Sequence, residues 1–310
     1  MKIDIHAHAF PESFVKEYKP LVESGLVPSI DLDFRPWNVD EHLALLEEVG
    51  IDLQVLSLVL TAYVPDRDAM RGIIQAGNDG IAEVCRRFPE KFAALAALPL
   101  VSVDDSVQEV RRAVDQLGMR GVILGSNVRG EPIDGEKYHP LFEELNGRKL
   151  PILFHPIDPM GPERYNEFQL DLWVGWPAET TFAISRLILN GVLDRFPDMR
   201  LILSHLGGST HYLLERIGEA ARFGRMERPF LEYYKAMYYE TAGPVPSAAV
   251  YCAHSLFGPA RILLGTDYPF GPEEGRDFAR KAISCVTQLS LPEEDEESIF
   301  SGNARELLGL

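Results

Sequence analysis

The sequence has few cysteines, no long hydrophobic run and no basic cluster, and each absence excludes a class of protein. Cys85, Cys252 and Cys285 are far apart and show no Cys-x-x-Cys spacing, which excludes a disulfide framework and a thiolate zinc site. No apolar run is long enough to span a membrane, and the first residues lack the basic and apolar regions of a signal peptide. We therefore expect a cytoplasmic protein.

The chain is acidic, with a formal net charge of −17 and a pI near 4.9. Because no basic cluster offsets this charge, we expect binding neither to nucleic acid nor to a membrane. The composition of 46% hydrophobic and 25% charged residues is ordinary for a globular protein. A length of 310 residues suits one α/β barrel with modest insertions. We predict a single domain over residues 1–310.

Short β-rich runs alternate with helical patterns along the whole chain. Between the first two runs, Asn38 as N-cap, Glu41 at the third helical position and Gly50 at the end predict a helix. Such alternation predicts parallel strands, and eight repeats favour a (β/α)8 TIM barrel over an open doubly wound sheet. The strand-like runs are 2–6, 52–60, 92–98, 120–124, 151–155, 201–205, 237–241 and 261–266.

Two segments are predicted to be long loops. Residues 10–36 follow the first predicted strand as an insertion, and residues 156–176 follow the fifth. Because loops after barrel strands form the active-site face, we expect substrate contacts in both segments.

Polar residues end several of the predicted strands. His6 and His8 are two positions apart, so both project to the same side of the first strand. This pair alone also fits two polar residues that finish an edge strand. His155 and His205 end the fifth and sixth strands, and Asp267 follows the eighth. Singly, each also fits a hydrogen-bonding or turn-forming role, but together they predict one catalytic rim at the C-terminal face.

The residue types on this rim indicate a metal site. Imidazole nitrogens and a carboxylate are ligands for zinc and related divalent ions, and they leave a position for water or substrate. The fourth predicted strand is followed by Ser126 and Asn127, without a lysine or glutamate placed to bridge a second ion. We therefore predict a site for one ion.

Six segments of the chain resemble the amidohydrolase superfamily. They occur in the order of that family and span nearly the whole sequence, and two of them, 177–181 and 265–270, look most like the branch of aminocarboxymuconate semialdehyde decarboxylase-like, metal-dependent decarboxylases. The resemblance implies a (β/α)8 barrel with the metal site at the C-terminal face of its strands. The segments are His6-Ala7-His8, Phe154-His155-Pro156, Pro177-Ala178-Glu179-Thr180-Thr181, Ser204-His205-Leu206-Gly207-Gly208, Gly265-Thr266-Asp267-Tyr268-Pro269-Phe270 and Gly302-Asn303-Ala304.

The resemblance also implies a role for each rim residue. His6, His8, His155 and Asp267 would bind one divalent ion, Zn²⁺ in the first place and Mn²⁺ as the alternative. His205 would act as general base or as polariser of the substrate, and Asp267 would help to move a proton. The implied activity is decarboxylation of a small unsaturated or aromatic carboxylic acid. A metal-dependent hydrolase of an ester, lactone or amide, a hydratase and a metal-binding barrel without activity are the alternatives.

An acidic substrate at an acidic protein requires local positive charge. Arg35, in the segment after the first strand, is the first candidate, although an exposed arginine in an ion pair fits this position as well. The resemblance implies a homodimer in which the neighbouring subunit supplies a second arginine. Arg222, Arg225 and Arg228 lie in the corresponding region, and the sequence does not choose among them.

Aromatic residues are the remaining candidates for substrate contact. Phe270 matches the aromatic residue that follows the metal aspartate in the resembling family. Trp173 or Trp176 could flank a flat substrate, although a tryptophan near a helix start fits a core position equally well.

Overall fold

Eight parallel strands form the centre of the fold. The structure is a computed structural model that describes residues 1–26, 37–60, 63–157, 161 and 167–310. Neighbours in the sheet are neighbours along the chain, which confirms the predicted (β/α)8 barrel and its single domain. The strands are β1 (Ile3–His8), β2 (Leu53–Ser57), β3 (Phe92–Ala96), β4 (Gly121–Gly125), β5 (Pro151–His155), β6 (Arg200–Leu203), β7 (Tyr238–Glu240) and β8 (Ile262–Leu263).

Backbone hydrogen bonds between β1 and the segment that begins with β8 close the barrel. The amide of Ile5 donates to the carbonyl oxygen of Leu264 at 2.9 Å, and the amide of His8 donates to that of Tyr268 at 2.6 Å. The amide of Asp267 donates back to the carbonyl oxygen of His6 at 2.9 Å. The C-terminal ends of the first and last strands therefore lie side by side.

Helices follow the strands and cover the outside of the barrel. None of the helices in the described ranges has the length and apolar character needed to cross a membrane. An antiparallel hairpin of Asn127–Val128 and Glu131–Pro132 follows β4. The helices are α1 (Glu12–Glu23), α2 (Val39–Val49), α3 (Arg67–Arg87), α4 (Val103–Asp115), α5 (His139–Arg148), α6 (Trp176–Leu189), α7 (Val192–Arg195), α8 (Thr210–Gly218), α9 (Phe230–Ala236), α10 (Ser247–Phe257), α11 (Arg276–Thr287), α12 (Glu293–Glu297) and α13 (Asn303–Leu308).

Helix α2 has the predicted ends. The side chain of Asn38 accepts hydrogen bonds from the backbone amides of Asp40 and Glu41 at 3.1 and 3.3 Å. Gly50 ends the helix with a φ of 73°, a left-handed conformation that glycine adopts without strain.

The two segments predicted to be long loops contain helical structure, so the loop prediction was wrong for the helical stretches. Helix α1 lies within 10–36 and buries Phe14, Val15 and Tyr18, whose spacing is helical. Residues 27–36, including Arg35, lie outside the described residues. In the second segment, a short 3₁₀ turn at Glu167–Gln169 and a π-helical turn at Asp171–Gly175 lead into α6.

Candidate metal centre

Five side chains from four strand ends meet at the C-terminal face of the barrel. Nε2 of His6 lies 2.9 Å from Nε2 of His8. Oδ1 of Asp267 lies 3.5 Å from the first nitrogen and 3.3 Å from the second. The ring centroid of His155 lies 5.1 Å from that of His6 and 5.6 Å from that of His205. The structure therefore brings together all five residues that the strand ends predicted.

Hydrogen bonds within the protein fix the protonation of two of these rings. Nδ1 of His6 lies 2.9 Å from the carboxylate of Glu240, and Nδ1 of His155 lies 2.7 Å from the carbonyl oxygen of Pro156. Both partners can only accept, so each Nδ1 carries the proton and donates it. Donation from Nδ1 orients a histidine so that Nε2 can bind a metal ion.

The third ring is fixed in the same way through a hydroxyl group. Nδ1 of His8 lies 3.0 Å from Oγ of Ser57, and that hydroxyl donates to the carbonyl oxygen of Ala7 at 3.2 Å. Because the hydroxyl proton is used there, Oγ accepts the proton of Nδ1. His8 thus presents Nε2 to the same point as the other two histidines.

The donor set fits one divalent ion. Ligand atoms that bind zinc at 2.0–2.1 Å are about 3.3 Å apart in a tetrahedron, and the atoms of His6, His8 and Asp267 are separated by 2.9–3.5 Å. Nε2 of His155 is buried and has no hydrogen-bond partner within the described part of the chain. The ligand atoms of His6, His155, His205 and Asp267 also lie within 4.8 Å of one another. The cluster can therefore hold a divalent metal ion.

Glu240, at the end of β7, completes the centre and was missed by the sequence analysis. Its fully buried carboxylate accepts hydrogen bonds from Nδ1 of His6 at 2.9 Å and from the backbone amide of His205 at 2.6 Å. A Cβ atom at Gly265 would lie 2.0 Å from Oε2 of Glu240. The sequence did contain a signal for it. Glu240 lies near the end of the predicted strand 237–241, and other predicted strands also end close to a site residue.

His205 and Asp267 occupy the left-handed backbone region, with φ values of 54° and 66°. This conformation costs about 1 kcal/mol or more for a residue other than glycine and is concentrated at functional sites. Hydrogen bonds from the His205 amide to Glu240 and from the Asp267 amide to His6 hold it. The side chains of His205 and Asp267 are 17% and 15% exposed, whereas that of His8 is fully buried. These two residues therefore form the accessible side of the cluster.

Burial and neighbouring charges set the protonation of the cluster. Burial lowers the pKa of His8 to about 4 and that of His155 well below its usual range, so both rings are neutral at pH 7. Burial raises the pKa of Asp267, but contacts with the rings of His205 and His8 and the positive charge of His6 hold it well below its usual range. Burial also opposes the charge of His6, whose pKa the carboxylate of Glu240 nevertheless raises to about 9. A metal ion bound at Nε2 of His6 displaces that proton.

The chain is similar to known proteins over its whole length. A family model described as Amidohydrolase matches residues 3–310. The chain belongs to the amidohydrolase family. It is 30% identical to the 2-amino-3-carboxymuconate-6-semialdehyde decarboxylase of Dictyostelium discoideum over 341 residues, which cover 100% of this chain and 92% of that relative.

Two bacterial relatives of this amidohydrolase are similar over most of its length. It is 31% identical to the gamma-resorcylate decarboxylase of Rhizobium radiobacter over 291 residues, which cover 87% of each chain. The crystal structure of a dihydroxybenzoic acid decarboxylase from Polaromonas, with bound manganese and the inhibitor 2-nitroresorcinol, has a TM-score of 0.84 to this fold at 26% identity. That comparison covers 100% of this chain and 97% of the Polaromonas chain.

The structure places two of the three predicted aromatic residues beside the cluster of this amidohydrolase. The ring of Phe270 lies 5.5 Å from that of His8, and the ring of Trp176 lies 5.7 Å from that of His155. Trp173 is 47% exposed, and its ring lies 6.4 Å from that of Phe278 in α11. Phe270 and Trp176 therefore lie beside the cluster, whereas Trp173 packs towards the outer helix. Their contact with a substrate stays a prediction.

A small pocket beside His155 has apolar walls. It lies at the C-terminal ends of β2 to β5, where the strands end next to the histidine cluster. Its free space is enough for about one water molecule. Its lining includes Leu58, Leu60, Tyr63, Leu98, Ile123 and Ile157.

The arginines proposed for a partner subunit lie on the surface. Arg222 and Arg225 are exposed, and the guanidinium group of Arg222 lies 4.8 Å from the ring centroid of Phe223. Arg228 is also exposed and lies 3.4 Å from the carboxylate of Asp194. Their reach into a neighbouring site stays a prediction.

Proposed function

We propose that this amidohydrolase is a metal-dependent carboxy-lyase that removes carbon dioxide from a small unsaturated or aromatic carboxylic acid. One observation carries the proposal: Nε2 of His6 and His8 and the carboxylate of Asp267 converge beside Nε2 of His155, which has no hydrogen-bond partner among the described residues, and His205 lies on the accessible side. The named activities of the Dictyostelium and Rhizobium relatives, both decarboxylases, support this choice of reaction.

We propose His6, His8, His155 and Asp267 as the ligands of one ion, Zn²⁺ in the first place. Three imidazoles and one carboxylate suit zinc, whereas Mn²⁺, which the Polaromonas enzyme binds, is the alternative. When bound, the ion supplies a Lewis acid that holds a substrate oxygen and stabilises negative charge.

In the proposed reaction, the chain's own residues transfer the proton. Nε2 of His205 lies 3.5 Å from Oδ2 of Asp267, so a small movement brings the two into hydrogen-bond contact. This pair delivers a proton to the carbon that carries the carboxylate. The bond between that carbon and the carboxylate then breaks, its electron pair returns to the unsaturated system, and carbon dioxide leaves. The acid anion and one proton thus give carbon dioxide and the shortened product.

The substrate's charge requires a cation that the cluster itself does not contain. Within the described ranges, no hydrogen bond or ion pair joins the four histidines or Asp267 to an arginine or lysine. We therefore propose Arg35, which lies outside those ranges, and one of Arg222, Arg225 and Arg228 from a second copy in a homodimer. The rings of Phe270 and Trp176 would flank the flat part of the acid.

We also propose that the enzyme works in the cytoplasm. The three cysteines are free in the structure, as a reducing compartment requires. The net charge of −17 favours neither nucleic acid nor an anionic membrane as a partner.

Carbon dioxide release tests the proposed activity. Protein of known metal content is incubated with 2-amino-3-carboxymuconate semialdehyde, 2,6-dihydroxybenzoate and 6-methylsalicylate, and release is compared before and after metal removal with a chelator. We expect metal-dependent release from at least one acid. The His205→Asn variant should lose release, and His254→Asn, which changes a histidine paired with Asp295 far from the cluster, should retain it. Release from no acid by metal-loaded protein, together with hydrolysis of an ester or lactone, would replace this proposal with the hydrolase.

A further inference from the structure

A buried chain of hydrogen bonds runs from helix α2 to the two strands that close the barrel at the metal centre. It consists of Trp37, His42, Gln54 and Asp4, of which the last three are completely buried. None of these side chains belongs to the cluster described above. Three buried polar side chains in the core need a reason, because each costs free energy unless it is fully hydrogen-bonded.

Asp4 joins the two strands that carry His6 and Asp267. Its Oδ1 atom accepts hydrogen bonds from the backbone amides of His6 and Thr266, both at 3.0 Å. Its Oδ2 atom accepts from the hydroxyl of Thr266 and from Nε2 of Gln54, both at 2.5 Å. Thr266 directly precedes Asp267 in the sequence. One carboxylate therefore fixes the backbone on both sides of the barrel closure, next to two of the proposed ligands.

The orientation of each group in the chain is set by the group before it. Nε1 of Trp37 donates to Nδ1 of His42 at 2.8 Å, and an indole can only donate. The proton of the His42 ring must therefore be on Nε2, which donates to Oε1 of Gln54. The amide of Gln54 is thereby turned so that its Nε2 faces Asp4. Burial lowers the pKa of His42 to about 4, which keeps the ring in the neutral form that this sequence of bonds requires.

His42 has a second contact with the metal-bearing strands. Its ring stacks on that of Tyr268, with centroids 4.0 Å apart and an angle of 29° between the planes. Tyr268 follows Asp267, and its carbonyl oxygen accepts the hydrogen bond from the amide of His8. The same histidine thus supports the backbone of the site through Asp4 and through Tyr268.

We propose that His42 and Gln54 are positioning residues for the metal centre, acting through Asp4 and Tyr268 on the backbone of His6, His8 and Asp267. The proposal rests on the proposed metal site. Metal ligands must be held to within about 0.5 Å of the productive geometry. Loss of this support therefore lowers metal affinity and kcat, whereas KM, which depends on the substrate contacts, stays nearly constant.

Two nearly isosteric variants test the proposal. His42→Phe keeps the stacked ring and removes both hydrogen bonds, and Gln54→Met keeps the length of the side chain. Ser185→Ala is the matched control, because Ser185 is also buried and hydrogen-bonded, to Thr181 and Tyr234, away from the site. Affinity for Zn²⁺ alone is measured by competition with a chelator. We expect about tenfold weaker binding in the two site variants and unchanged binding in Ser185→Ala.

Hydrogen exchange of the metal-free proteins gives a second measurement that does not need zinc. The amides of His6 and Thr266 donate to Asp4, so peptides that cover residues 2–9 and 262–270 should exchange about tenfold faster in both variants and not in the control. His42→Gln keeps a donor and an acceptor and should recover most of the zinc affinity.

Three outcomes decide the matter. Zinc affinity and exchange within twofold of wild type in the folded variants would overturn the positioning role. An equal loss in His42→Gln and His42→Phe would show a merely structural role and overturn it as well. If wild type binds zinc but decarboxylates no acid, the proposed activity fails, while affinity and exchange still test the positioning role.

Discussion

Residue 265 is glycine, and the absence of a larger side chain there leaves room for the carboxylate that orients His6. The carboxylate of Glu240 occupies the space next to Gly265 and accepts the proton of His6 Nδ1. Groups that hold a metal-binding histidine in this way commonly contribute tenfold to a hundredfold to metal affinity.

We expect Gly265→Ala to weaken zinc binding by about tenfold or more, because the new methyl group displaces Glu240 from His6. Chelator competition measures the affinity. Gly147→Ala is the control, since Gly147 lies in α5 with no atom within 4 Å of the added Cβ, and it should leave the affinity unchanged. Equal affinities in the two variants would contradict the role given to Glu240.

Substitution of His8 and substitution of His205 should have different effects, the first on metal binding and the second on turnover. His8 is fully buried, with Nδ1 held by Ser57, whereas His205 is partly exposed beside Asp267. We expect His8→Ala to lose the bound metal and His205→Ala to keep about one ion per chain while losing turnover by at least a hundredfold. Metal analysis and rate measurements on the same samples check this. If His205→Ala lost the metal and His8→Ala kept it, His205 would be the metal ligand and His8 would not.

At the scale of elements, helix α2 matters because it carries His42. Its N-terminus is capped by the side chain of Asn38, which satisfies two backbone amides. We expect Asn38→Ala to lower the free energy of unfolding by about 1 kcal/mol, and Asn38→Ser to change it by less. Urea denaturation measures both. A loss of the same size in the two variants would mean that the side-chain cap is not the cause.

The sequence predicts the strands well because each is a short, largely buried run, and several of these runs lead into a polar residue. His155, His205 and Asp267 were found in this way. Glu240 also ends a strand. It was not recognised because a single glutamate after two tyrosines forms no metal-binding motif. Helix α1 was missed because Pro11 and Pro20 suggest a loop, although Pro20 lies in the last turns of that helix. The partner of His42 cannot be predicted, because Gln54 and Asp4 meet it only through strand pairing.

At the scale of the whole molecule, acidification should destabilise the metal-free protein. Burial lowers the pKa of His8, His42 and His211 to about 4, from about 6.5 in an unfolded chain. Below pH 6.5 the unfolded state takes up protons that the folded state resists, so stability present above pH 6.5 is lost as the pH falls towards 4. At pH 5.5, protonation of each of these groups in the unfolded state has lowered the free energy of unfolding by about 1 kcal/mol.

Asp4 acts in the opposite direction, because burial raises its pKa to about 6 and its protonation favours the folded state between pH 6 and 4. His6 acts in the same direction as Asp4, because its pKa is raised to about 9. The three histidines together outweigh these two groups. We expect the Tm of metal-free protein to fall between pH 7 and pH 5.5, measured by differential scanning calorimetry. A Tm that rises over this interval would contradict the assignment of neutral buried histidines. His42→Phe should show a smaller fall.

The contacts of Asp4 with Thr266 span 262 residues, and the metal centre lies across the same barrel closure. During synthesis His6 leaves the ribosome 261 residues before Asp267. The two residues cannot lie side by side until Asp267 has emerged, so a complete ion-binding set forms only after β8 has docked against β1. The ion is therefore bound late in folding, and only chains whose barrel has closed contain it.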